Sequence, residues 1–180
     1  MSLHGSVVTT LTDWEAPDPA QDSLRHALLG FVLGRSDACQ RACVPGHITA
    51  SALVLDHTGT EALLTLHPRL GRWVQLGGHC EDGDADIAAA ALREAGEESG
   101  IDGLTIGAMP AALHVHPVTC SLGVPTRHLD VQFVVRAPAG AQITRSDESL
   151  DLKWWPLGGL PAGADYGLRQ LVLAAQTSVE

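Results

Sequence analysis

Lysine is almost missing from this chain: Lys153 stands alone, and 11 basic residues face 21 acidic ones, for a formal net charge of −10. Nonspecific adhesion to nucleic acid or to anionic membranes relies on clustered cations, so neither is expected as a partner. Aromatic residues are also scarce, at 4%, which leaves the core to aliphatic side chains. No stretch approaches the roughly 18 apolar residues a spanning helix needs, and the N-terminus lacks the basic-then-apolar order of a secretory signal. A soluble, cytoplasmic protein is expected. Four cysteines among 180 residues are too few for a disulfide framework, and reduced thiols are expected.

The length suits a single domain with a full-sized core. Behind Asp22-Ser23, the residues Leu24, Ala27, Leu28, Phe31 and Val32 recur at helical spacing and predict a helix. Residues 1–22, with Pro17 and Pro19, read as a loosely held N-terminal arm, and 23–180 as the domain. Aliphatic runs at 48–55 and 62–66 flank Asp56-His57-Thr58-Gly59, which is turn chemistry, and predict a hairpin. A short strand at 73–76 leads into a glycine loop, and Asp84 or Asp86 can cap a helix that Gly100 ends. Strand-like stretches lie within 104–118, 129–136 and 152–155, and 168–175 reads as a closing helix. Strands mixed with a few helices make an α/β layer fold.

The densest chemistry lies in the middle of the chain. Gly77-Gly78-His79-Cys80-Glu81-Asp82-Gly83-Asp84 is followed by Arg93-Glu94-Ala95-Gly96-Glu97-Glu98-Ser99-Gly100-Ile101. On a helix, Glu94, Glu97 and Glu98 stand at i, i+3 and i+4, so the three carboxylates share one face. Such crowding is unfavourable without cations, and hard divalent ions such as Mg²⁺ or Mn²⁺ favour oxygen ligands of this kind.

This segment resembles the Nudix hydrolase (MutT-like) box, G-x5-E-x7-R-E-U-x-E-E-x-G-U with U a bulky aliphatic residue. Arg93-Glu94, Glu97-Glu98, Gly100 and Ile101 fall in place, with Ala95 at the first U. Three positions depart: Asp84 replaces the first glutamate, eight residues rather than seven separate it from Arg93, and Leu76 stands where many relatives have proline. A shorter side chain on a longer spacer can still reach the same arginine. The likeness is dense over 72–101 and looser to about residue 160.

What the resemblance implies is a Nudix α/β/α sandwich with a mixed sheet, housing a hydrolase that cleaves a diphosphate bond in a nucleoside diphosphate linked to another moiety. Glu94, Glu97 and Glu98, with the Gly77 carbonyl, would hold Mg²⁺ or Mn²⁺, and Arg93 would orient the glutamates. Glu94 and Glu148 are the two candidates for general base, because relatives take it from the box helix or from a later loop. Arg72, Gly78 and His79 are candidates for substrate phosphates, and of Trp73, Trp154 and Trp155, which could stack on a base, at least two suit core or edge packing better. Members of the family often dimerise, so a homodimer is a possible assembly.

Two other readings share part of the pattern. A nucleotide-sensing module of the same fold would bind without turnover, against which the retained glutamates argue. An isopentenyl-diphosphate isomerase-like enzyme would need a catalytic cysteine, for which only Cys80 and Cys120 are near to hand. His114, His116, His128 and Asp130 would suit zinc or nickel if strand geometry gathered them, although pocket or packing roles are favoured. Cys39-x3-Cys43-x3-His47 has weak metal spacing, broken by Pro45-Gly46.

Overall fold

The computed structural model describes residues 1–120 and 123–177. Two helices, α1 (Leu3–Asp13) and α2 (Pro19–Gly34), precede β1 (His47–Leu55), β2 (Glu61–His67), β3 (Arg72–Val74) and β4 (Leu76–His79). Helix α3 (Ile87–Ser99) carries the acidic cluster, and β5 (Thr105–Ile106), β6 (Ala112–Thr119), β7 (Pro125–Arg136), β8 (Asp151–Pro156) and α4 (Tyr166–Thr177) complete the chain. The strands form one mixed sheet in the order β3-β2-β1-β7-β5, with β4 also on β1, β6 on β7 and β8 on β2. Among the described residues no helix is long and apolar enough to cross a membrane.

Strand β1 is buried along its whole length, and its alternation sets the layers. Ala50, Ala52 and Val54 pack in the clusters that contain Ala90, Ala91 and Ala95 of α3, whereas Leu53 and Leu55 pack with Leu168, Leu171, Val172 and Ala175 of α4. Helices α3 and α4 therefore cover opposite faces, which is the expected α/β/α sandwich. The small residues of α3 let the box helix lie close on the sheet, and that closeness brings its glutamates to the backbone of β4.

Residues 1–22 are not a loosely held arm. Val7 and Leu11 have no exposed surface and join Trp14, Leu28 and Val32 in the cluster of Ile87, Ala90 and Phe133. Pro17 and Pro19 mark the start of a helix instead of a linker: Asp18 accepts hydrogen bonds from the N–H groups of Ala20 and Gln21, and Pro19 occupies the first turn of α2. The expected boundary at residue 22 falls inside that helix. Helix α1 also touches the box helix, because the buried Ser6 hydroxyl accepts the Ile87 N–H at 3.1 Å, satisfying a donor that the first turn of α3 would otherwise leave bare.

The glycines sit in a strand and not, as expected, in a loop. Gly77 and Gly78 of β4 pair with Ser51 and Ala50 of β1. At φ +147° a Cβ on Gly77 would come within 2.6 Å of the Ala50 carbonyl oxygen and the Ser51 Cα, so only glycine fits. Asp86, rather than Asp84, caps α3 by accepting the Ala89 N–H at 2.7 Å, and Gly100 closes the helix in the left-handed conformation at φ 65°.

Candidate active site

Glu94, Glu97 and Glu98 leave the last turns of α3 toward β4. Glu94 and Glu98 are only 9% and 8% exposed, whereas Glu97 reaches solvent. Glu98 accepts the Gly77 N–H at 3.2 Å. A Cβ on Gly78 would lie 2.7 Å from both Glu94 carboxylate oxygens, so the bare strand backbone makes room for that side chain.

Arg93 holds the cluster together, and Asp84 reaches it across the longer spacer. Its Nε and Nη2 donate to Asp84 at 2.9 and 3.1 Å, its Nη1 to Glu94 and Glu97 at 3.1 Å each, and its Nη2 also to the His79 carbonyl at 2.9 Å. The Asp84 carboxylate is 5% exposed. Because Asp86 takes over the capping, Asp84 is freed to face back along α3, and the extra residue of spacer is absorbed in the loop after β4.

Burial raises two of the site's three buried acids above the ordinary value. Burial pushes the Glu98 carboxyl up to about 8, reinforced by Glu94, Glu148 and Glu97 and opposed by the Gly77 N–H. Burial raises Glu94 as well, against the pull of Arg93. Burial also presses upward on Asp84, yet its bonds from Arg93 and from the Glu81 N–H bring it below the ordinary value. Glu148, exposed on the loop between β7 and β8, adds a smaller upward push on both Glu94 and Glu98.

The remaining residues singled out from the sequence separate. Arg72 pairs with Asp165 at 3.0 Å, and its Nε is buried without a partner. Trp73 and Trp155 meet edge to face at 5.3 Å within the α4-side packing, and Trp154 packs on the α3 side. Burial drives the Cys80 thiol far upward, and the thiol points at the Ile48 carbonyl, which removes it as an isomerase-type nucleophile. Asp130 does not join the histidines. It is 2% exposed and accepts from the Thr49 and Ser51 hydroxyls at 2.8–2.9 Å and from the Gln132 amide at 2.9 Å. Neither Cys39 nor Cys43 belongs to the one group of ligand-type side chains gathered among the described residues, which comprises His47, His79, Cys120 and His128. From the sequence His79 is expected at substrate phosphates and Cys120 enters only as a candidate isomerase cysteine, so neither reads as a metal ligand there.

One substitution isolates the role of the bare backbone. Gly78→Ala meets only the mobile end of Glu94, so we expect a folded protein with a melting point close to wild type and turnover lowered about 10- to 100-fold. Activity measured beside a thermal melt checks this, and unchanged activity would mean that the Glu94 position is immaterial.

A NUDIX domain model matches residues 45–174 of the chain. No curated protein matches it in sequence. Among solved structures it resembles a C. elegans Ap4A hydrolase at 23% identity, covering 73% of this chain and 96% of that one with a TM-score of 0.55. It also resembles a MutT protein of Methanosarcina mazei Go1 at 20% identity, over 77% of this chain and 99% of that one, TM-score 0.56. A UDP-X diphosphatase matches at 15% identity over 98% of this chain and 91% of its own, TM-score 0.54, a share that extends ahead of residue 45. At such identities the likeness speaks for the fold.

Proposed function

The chain belongs to the NUDIX family of pyrophosphohydrolases, and from that premise we propose that it cleaves a diphosphate bond in a nucleoside diphosphate linked to another moiety, using Mg²⁺ or Mn²⁺ held by Glu94, Glu97, Glu98 and the Gly77 carbonyl. The observation that carries this reading is the gathering of two buried carboxylates and one exposed carboxylate against the backbone of β4, where the only cation bonded to them is the Arg93 guanidinium, among the described residues. The donors are all oxygens, which suits a hard divalent ion, and among the described residues Glu98 has no ionic partner to offset its burial. When bound, such an ion neutralises phosphate oxygens and lowers the pKa of water.

The chain's own residues supply position and proton handling. Arg93 fixes Glu94 and Glu97 from one side while Asp84 and the His79 carbonyl fix Arg93 from the other. Glu94, within the box, and Glu148, on the later loop, are the two candidates for general base. Arg72 and Gly78 are assigned to substrate phosphates, while His79 serves the box through its carbonyl, which accepts from Arg93. For Arg72 the partnerless Nε, beside an Asp165 pairing that fixes the side chain, supports that assignment. The structural neighbours are called hydrolases of Ap4A and of UDP-X, and their variety supports the diphosphate link as the shared element, leaving the rest of the substrate open.

A panel of nucleoside diphosphate derivatives, incubated with Mg²⁺, Mn²⁺ or chelator, tests the reading: metal-dependent phosphate products are expected, and binding without products would favour the sensing module instead. The raised Glu98 value adds a pH signature. Protons compete with the metal below about pH 8, so Mg²⁺ affinity should rise by about tenfold per pH unit from 6 toward 8 and then level off, with proton uptake by the buffer. Calorimetry in two buffers of different ionisation heat measures it, and a pH-independent affinity would contradict a buried, protonated ligand.

A further inference from the structure

A second constellation lies on the other side of the sheet from the glutamates. The even-numbered residues of β1 face α3, so His47, Thr49 and Ser51 face the α4 side, and lateral pairing carries the same face into neighbouring strands. His47 pairs with His128, Thr49 with both His79 and Asp130, and His128 with His116. One ligand-type atom from each of His47, His79, His128 and Cys120 lies within 4.8 Å of the others. The three imidazole rings are almost equidistant, with centroids 5.0–5.1 Å apart, and the Cys120 sulfur lies 3.3 Å from His79 Nε2.

The donors are prepared for a cation. His47 is 1% exposed, and its Nδ1 must carry the proton because it donates to the Cys43 carbonyl at 3.3 Å, leaving Nε2 as the atom it can offer. That Nε2, and the Nε2 of His128, are buried without a hydrogen-bond partner, a state that calls for an explanation in a folded protein. Burial keeps His79 down at about 3 and His128 at about 4, with Arg41 and the neighbouring rings adding to the effect, and lowers His47. Burial thus favours the neutral ring, the form that binds metal.

We propose that His47, His79, His128 and Cys120 bind one zinc-type transition ion, distinct from the divalent ion assigned to the glutamates. Three imidazole nitrogens and one thiolate are the donor set of tetrahedral zinc and disfavour Mg²⁺. Around zinc, such ligands stand about 3.3–3.6 Å apart. The His79 to Cys120 contact already has that separation, and the others reach it by side-chain shifts of about 1 Å. The ion ties β1, β4, β7 and the end of β6 together, and it grips His79, whose carbonyl anchors Arg93 at 2.9 Å. It therefore braces the strand on which the glutamates rest, and it does so whether or not those glutamates hold Mg²⁺.

Cobalt is the probe, because tetrahedral thiolate-bound Co²⁺ is coloured and octahedral Co²⁺ held by carboxylates is nearly colourless. Metal-stripped full-length protein, with excess Mg²⁺ present, is titrated with Co²⁺ under reducing conditions. One equivalent should produce intense tetrahedral bands and a near-ultraviolet thiolate-to-cobalt band, both erased by one equivalent of Zn²⁺. Cys120→Ser should lose the thiolate band and His128→Ala the tetrahedral bands, while Glu98→Gln keeps both. Zn²⁺ should also raise the melting point of wild type and not that of Cys120→Ser, with circular dichroism showing that each variant is folded. A wild-type protein that gives no thiolate band, or a Cys120→Ser protein that retains it, overturns the proposal.

Discussion

Glu98→Gln is expected to lower turnover by several orders of magnitude while making the metal-free protein more stable near pH 8. The two effects come from one cause. Glu98 is buried, accepts the Gly77 N–H, and burial pushes its carboxyl up to about 8. An unfolded glutamate titrates near its ordinary value of about 4.3. Below that value both states carry the proton and Glu98 costs nothing. As pH rises toward 8, the unfolded chain ionises while the folded one resists, so stability is progressively lost. Glutamine has the same shape, can still accept the Gly77 N–H, and never ionises, so that loss disappears. Yet the amide brings no charge to a divalent ion, and the ligand set that tolerates buried acids is broken. Melting curves in chelator from pH 5 to 9, set beside kcat with Mg²⁺, test both halves. Undiminished kcat would remove Glu98 from the site, and a melting point below wild type at pH 8 would mean that its charge is already compensated.

The box was legible because its information is local. Three glutamates at helical spacing, an adjacent arginine and the glycines upstream lie within 25 residues, from Gly77 to Ile101, so helix geometry alone brings the acids together. The Asp84 pairing was not fixed by the pattern, because it depends on a loop absorbing one added residue, which only the structure shows. The histidine cluster was hidden because its information is in register. His47, His79 and His128 become neighbours only once β1 has taken β7 as a parallel partner and β4 as an antiparallel one. The alternation His-x-Asp at 128 and 130 did put both side chains on one face, but Thr49 and Ser51, across the strand, claim Asp130 with their hydroxyls. Helix α1 was missed for another reason. Val7, Val8, Thr9, Thr10 and Thr12 are β-branched and poor helix formers, so its helicity comes from burying Val7 and Leu11 against α2 and α3 instead of from intrinsic preference.

Arg93→Ala is expected to remove about 3 kcal/mol of stability and most of the activity together. The guanidinium is the shared partner of Asp84, Glu94, Glu97 and the His79 carbonyl, and its hydrogen bonds with Asp84 are the main reason its own pKa is raised. Its loss strands Asp84, 5% exposed, as an unpaired carboxylate and returns Glu94 to the repulsion of its neighbours. Arg93→Lys separates charge from shape. An ammonium keeps the charge but cannot make the paired bonds to Asp84 while reaching Glu94, so it should recover part of the stability and little of the turnover. Denaturant unfolding with metal present and absent, beside kcat, distinguishes these terms. Full activity in the lysine variant would show that Arg93 supplies only charge; equal loss in both would show that the forked geometry, which ties the loop after β4 to the glutamates of α3, is what the site requires.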